Sequence, residues 1–125
     1  MRKSFTERIE NWIKDGSIET EFGVTDLCVQ QPSKAVDGCI VLAGTRIENK
    51  DRCAIVIENR PSTDYGLGQL MVLQSVNDSV IWIAASFTEE HKKAIEWIEK
   101  RCNVWISKGW YNSLFEEPPK LLRHE

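Results

Sequence analysis

Cys53-Ala54-Ile55-Val56-Ile57, closed by Glu58-Asn59-Arg60, decides the fold. An unbroken apolar run ending in β-branched residues has no polar face, so it reads as a strand buried on both sides. Ala35-Val36-Asp37-Gly38-Cys39-Ile40-Val41-Leu42-Ala43-Gly44 reads the same way, and the polar Glu48-Asn49-Lys50-Asp51 between the two reads as a turn. The pair forms an antiparallel hairpin in the middle of a sheet. With the turn apex between Glu48 and Asn49, Glu58 falls opposite Cys39 and Asp37 opposite Arg60. Side chains alternate along a strand, so Asp37, Cys39, Glu58 and Arg60 share one face.

Other elements follow outward from this hairpin. Phe5, Ile9, Trp12 and Ile13 make one apolar helical stripe, capped by Ser4 or Thr6 and ended by Asp15-Gly16-Ser17. A loop or short strand spans Asp26 to Gln31. Beyond the hairpin, Pro61-Ser62-Thr63-Asp64 offers N-caps to a helix carrying Leu67, Leu70, Met71 and Leu73. Gly66 and Gly68 weaken that helix by about 1 kcal/mol each relative to alanine. Ser79 to Ala85 is a third buried strand. Ser86 and Glu89 have capping-box spacing before a helix whose stripe is His91, Ile95, Ile98 and Cys102, with Ala94 and Trp97 beside it. Trp82 and Trp97 read as core. A last strand runs from Val104 toward Tyr111, and residues 116–125 read as a frayed C-terminal tail. Helices alternating with strands indicate an α/β fold, with a mixed central sheet covered on both faces, in a single domain over 1–125.

The chain has 125 residues and a net charge of −3, from 16 basic and 19 acidic residues. This excludes a strongly basic nucleic-acid binder and leaves only a local patch or bound ions for that role. No apolar run approaches the roughly 20 residues of a membrane span. The N-terminus lacks a secretory apolar core, so a cytoplasmic location and no membrane partner are expected. Cys28, Cys39, Cys53 and Cys102 include no Cys-x-x-Cys pair and read as reduced, half-buried thiols rather than a zinc site.

Asp37 and Glu58 carry the chemistry. A carboxylate beside an apolar strand is costly unless something compensates it. As diagonal neighbours, roughly 7–8 Å apart between backbones, the two can grip one Mg²⁺ or Mn²⁺. Such an ion polarises a phosphate and activates a water, with Arg60 as a fixed positive charge beside it. The plainer reading makes both acids strand-end residues, Glu58 pairing with Arg60 or Arg46. His91 reads as a core or capping histidine. Cations for phosphate contact are Arg46, Lys50 and Arg52, with Lys92, Lys93, Lys100, Arg101 and Lys108 further along. No interleaving of aromatic and basic residues marks a single-strand platform.

An acid on one strand, Glu58-x-Arg60 at the end of the next, and a following helix resemble the PD-(D/E)XK nuclease-like superfamily. Val56-Ile57-Glu58-Asn59-Arg60, Thr63-Asp64-Tyr65, Leu67-Gly68-Gln69, Val80-Ile81-Trp82-Ile83-Ala84, Phe87-x-x-Glu90-His91 and Ala94-Ile95-x-Trp97-Ile98 are similar, in that order, to blocks of one prokaryotic branch. The resemblance covers about Asp37 to Val104. It implies a restriction-endonuclease-like core, helix–three strands–helix–strand (αβββαβ), plus a C-terminal helix and strand. It also implies Mg²⁺-dependent phosphodiester hydrolysis of DNA. Asp37 and Glu58 would hold the metal with the Asn59 main-chain carbonyl, Glu10 is the extra acid in preference to Glu7, and Gln69 matches the family glutamine. Val36 stands where the superfamily has proline, Tyr65 where the branch has histidine, and Arg60 where active members carry the lysine that positions the attacking water; Lys34 is the nearest substitute. Two functions follow from the resemblance: a metal-dependent DNA nuclease, or a catalytically inactive nuclease-like domain that binds nucleic acid or protein, including a second copy of itself.

Overall fold

The computed structural model describes residues 4–30, 38–102, 105–112 and 117–122. Along the chain come α1 (Phe5–Lys14), α2 (Ser17–Phe22), β1 (Val24–Gln30), β2 (Cys39–Arg46), β3 (Arg52–Glu58), α3 (Asp64–Leu73), β4 (Ser79–Ala84), α4 (Glu89–Arg101), β5 (Trp105–Trp110) and β6 (Lys120–Leu121). The strands form one mixed sheet in the order β1-β2-β3-β4-β5-β6. β3–β4 and β4–β5 are parallel and the other neighbours antiparallel. Each parallel pair is joined by a helix, α3 or α4, because two parallel strands need a crossover rather than a tight turn.

The central hairpin has the expected register, with Cys39 opposite Glu58 and Val41 opposite Val56. Along β3 every residue except Arg52 is buried. Ile55 and Ile57 face a core containing Ile9, Ile18, Phe22, Leu42, Ile83 and Tyr111, on the side covered by α1 and α2. Ala54 and Val56 face Leu70, Val80, Trp82, Ile95, Ile98 and Ile106, on the side covered by α3 and α4. The sheet is thus covered on both faces.

Ser4 caps α1, its Oγ accepting the Glu7 N–H at 3.2 Å. α2 leaves no mark in the apolar pattern, because its six residues are too few for a repeating stripe. It is bounded by Gly16 (φ 82°) and Gly23 (φ 66°), left-handed positions that turn the chain sharply at both ends. Residues 24–30 are a full strand, with a register shift between Thr25 and Cys28 and Asp26 at φ 57°.

Three expectations need correction. The cap of α4 is Thr88, whose Oγ1 accepts the His91 N–H at 3.1 Å; Ser86 instead gives its carbonyl to the Ser62 N–H at 2.8 Å. Trp97 is 53% exposed and no part of the core, whereas Trp82 is fully buried. Trp97 lies outside the stripe set by His91, Ile95 and Ile98, and the sequence reading overweighted its hydrophobicity. Residues 117–122 are docked rather than frayed: Pro119 is buried, and Lys120 and Leu121 pair with Trp110 and Gly109. That pairing covers an edge of β5 whose backbone groups would otherwise stand open. Among the described residues no helix is long and apolar enough to cross a membrane.

Candidate functional site

Glu58 ends β3 with its side chain on the α3/α4 face and no solvent exposure. Its burial is compensated donor by donor. Oε1 accepts the Trp82 indole N–H at 2.9 Å and the Thr63 N–H at 3.2 Å. Oε2 accepts the Thr63 hydroxyl at 2.5 Å and the Arg60 Nε–H at 3.3 Å. An ionised carboxylate offers about four lone-pair directions, and these four donors take them.

Local sequence explains the arrangement. Thr63 is the N-cap of α3, and its Oγ1 accepts the Gly66 N–H at 3.0 Å while donating to Glu58. The carboxylate therefore lies at the start of a helix, where backbone N–H groups point outward and negative charge is favoured. Gly66 makes room: a Cβ there would overlap Glu58 Oε1 and press on Trp82. Opposite Glu58 in the hairpin, Cys39 has its thiol pushed up to about 11, first by burial and then by the Glu58 charge, with Arg60 opposing.

Asp37, Val36 and Lys34 lie outside the described residues. Asn59 is tied to the start of β2, its N–H donating to the Gly38 carbonyl at 2.8 Å, and its Oδ1 is buried without a hydrogen-bond partner among the described residues. Glu10 is exposed on α1, which packs on the opposite face of the sheet from Glu58. Glu7 is exposed on the same helix. Gln69 is half-buried one turn along α3 and is not among the donors to Glu58. Of the predicted site residues that are described, Glu58 and Arg60 are bonded to each other. Arg46, Lys50 and Arg52 sit at the turn end of the hairpin. That is six residues from Glu58, roughly 20 Å along the strand.

Among the described residues the end of β3 offers one acid, Glu58. Its carboxylate is saturated by protein donors, a guanidinium rests on Oε2, and the candidate third acid lies across the sheet. No group of three His, Cys, Asp or Glu side chains among the described residues is placed to hold a metal.

A second polar cluster adjoins this one. Ser62 Oγ lies 2.7 Å from His91 Nδ1, and His91 Nε2 lies 2.9 Å from Asp64 Oδ1. Because a carboxylate only accepts, a neutral ring carries its proton on Nε2, donates it to Asp64, and accepts a hydrogen bond from the Ser62 hydroxyl at Nδ1. Ser62 Oγ also accepts the Thr88 N–H at 3.1 Å. The chain of residues copies a nucleophile–base–acid series in composition but runs the wrong way. The acid is 98% exposed, while the serine is buried and spends a lone pair on Thr88. A catalytic series needs its hydroxyl open to substrate and its acid shielded. We read Ser62–His91–Asp64 as a clasp fastening the start of α3 to the start of α4, in agreement with the structural role expected of His91. A cleft of about 570 Å³ opens over it, rimmed by Asp64, Glu89 and Glu90, which repel phosphates.

The sequence reading missed Thr63, Gly66 and Trp82 as partners of Glu58, and Ser62 and Asp64 as partners of His91. The available signal was a glutamate ending a buried strand, followed by a capping threonine and then a glycine at the third helical position. No protein-family model matches the chain, and no curated protein or solved structure matches it.

Proposed function

We propose that this chain is a catalytically inactive domain of the restriction-endonuclease-like kind, retained in the cytoplasm as a nucleic-acid-binding module. The order α1, β1, β2, β3, α3, β4 supports the ancestry, since with α2 set aside it is the αβββαβ order that the PD-(D/E)XK resemblance implies. One observation carries the loss of catalysis: both oxygens of Glu58 are filled by Thr63, Trp82 and Arg60 in a notch that Gly66 keeps open. A carboxylate used in this way has no lone pair left for Mg²⁺ or Mn²⁺. Arg60, permanently charged, replaces the usual lysine and neutralises Glu58 instead of positioning a water.

A second reading keeps the hydrolysis of DNA, with Asp37 and Glu58 as Mg²⁺ ligands. It is favoured by the register that sets the start of β2 against the end of β3, Cys39 opposite Glu58. Plasmid and single-strand cleavage with Mn²⁺ separates the two. The inactive domain shows no metal-dependent cleavage in wild type, while binding labelled DNA in EDTA. Cleavage by wild type that is lost in both Asp37→Ala and Glu58→Ala establishes the second reading and ends the first.

A further inference from the structure

We infer that the outer face of α4 is a contact surface for single-stranded nucleic acid, with the Trp97 indole as a stacking platform. This rests on the nucleic-acid-binding reading proposed above and adds the form of the ligand and the place it lands.

Trp97 is 53% exposed. Its neighbours on the helix surface are the residues three and four positions away. These include Lys93, Lys100 and Arg101, all exposed, and the Arg101 guanidinium lies 4.3 Å from the indole centroid. The exposed ring therefore carries one guanidinium laid over its face, with two lysines beside it, and among the described residues no ion pair engages any of the three. Glu99 is two positions from Trp97 and faces away from it; Glu96 stands three and four positions from Lys93 and Lys100, on the flank of their face, and Glu90 lies two turns back along the stripe.

The fold adds a second set of cations at the same end. Cys53, Ser79 and Trp105 lie in one row of the sheet. α4 returns from the end of β4 to the start of β5, so its last turn, with Lys100 and Arg101, reaches the sheet end that holds Arg46, Lys50 and Arg52. Glu48, Asp51 and Asp78 share that end, and Asp78 accepts the Arg52 N–H at 2.9 Å. The opposite end carries the clasp and its acidic cleft.

Charge and shape select the occupant. The cations require an anionic partner. A planar guanidinium laid on an exposed indole rewards a flat group free to stack on the pair, which an unpaired base offers and a paired base inside a duplex does not. An acidic peptide would satisfy the lysines and leave the indole unused.

Fluorescence anisotropy of labelled oligo-dT, in EDTA so that no metal step enters, tests the surface. Trp97→Ala is expected to weaken binding about tenfold, within the range for loss of one stacked base, and Trp97→Phe to restore most of it. Each of Lys93→Ala and Lys100→Ala is expected to lower the log–log salt slope by about 0.7. A duplex of the same length should bind more weakly and respond little to Trp97→Ala. Binding of duplex but not oligo-dT leaves the nucleic-acid reading standing and overturns this surface; binding of neither overturns both. Unchanged oligo-dT affinity in folded Trp97→Ala, or full competition by polyglutamate with no effect of Trp97→Ala, also overturns it.

Discussion

Gly66 and Glu58 are fitted to each other: the hydrogen in place of a Cβ at Gly66 is what leaves room for Oε1 of Glu58 at the start of α3. Glycine in a helix costs about 1 kcal/mol relative to alanine. Here it admits a buried carboxylate that then binds the Thr63 N–H, the Thr63 hydroxyl and the Trp82 indole. The end of a central strand, the first turn of a helix and a core tryptophan are joined through one side chain.

The two glycines of α3 should therefore respond oppositely to alanine. Gly68 has nothing within 4 Å of where a Cβ would stand, so Gly68→Ala should stabilise by about 0.5–1 kcal/mol. Gly66→Ala should destabilise by about 1–3 kcal/mol or more, as overpacking does, despite the same gain in propensity. Urea unfolding of both variants checks this, and equal stabilisation by both would refute the fit.

Removing either partner of the Glu58–Trp82 bond should cost stability. A hydrogen bond to a charged group contributes about 1.5–3 kcal/mol, and Trp82→Phe removes it together with ring volume packed against Phe87 and His91, which adds a cavity cost. Glu58→Gln turns an amide donor toward groups that already donate and should cost at least as much. A double-mutant cycle should show a coupling of about 1–3 kcal/mol. Additive effects would mean that the two side chains act independently.

The clasp should be structural. Ser62→Ala leaves both the Thr88 N–H and His91 Nδ1 without a partner and should cost about 1–3 kcal/mol. A serine-directed fluorophosphonate should not label Ser62, because its hydroxyl is buried and bonded to the ring. Stoichiometric labelling lost in Ser62→Ala would show a nucleophile instead.

Cys39 gives a pH signature. Its thiol stands at about 11 against an ordinary 9.0, raised by burial and by Glu58 and opposed by Arg60. Iodoacetamide near pH 8 should modify exposed Cys28 well before Cys39, followed by mass spectrometry. Cys39 alkylation should accelerate only as pH approaches 11, and earlier in Glu58→Gln. The sign for stability follows. Below pH 9 both folded and unfolded thiols are protonated; above it the unfolded thiol ionises first, and stability falls until the folded thiol ionises near 11.

Much of the fold was legible because long-range order repeats in the sequence. The apolar runs at Cys39–Gly44 and Cys53–Ile57 fix two central strands, the turn between them fixes the register, and His91, Ile95, Ile98 and Cys102 fix the inner face of α4. Elements without a repeat were lost: α2 is set by two left-handed glycines, and β6 has two residues, too few for an alternating pattern. At the site, Glu58 was visible as an acid out of place on an apolar strand. Its partners were not, since Thr63 and Trp82 follow by 5 and 24 residues and meet it only through the crossover helix. Gly66 was read as a weakness of α3 because propensity treats a helix alone. Trp97 was placed in the core because hydrophobicity was counted ahead of its angle on the helix.

The central claim is that Glu58 is a structural carboxylate. A Mn²⁺ titration followed by electron paramagnetic resonance tests it most directly, since the six-line signal of free ion counts what the protein has not bound. The expected result is a signal that tracks added Mn²⁺ identically for wild type and Glu58→Gln, with the variant markedly less stable. A stoichiometric loss of signal in wild type that disappears in Glu58→Gln would contradict it.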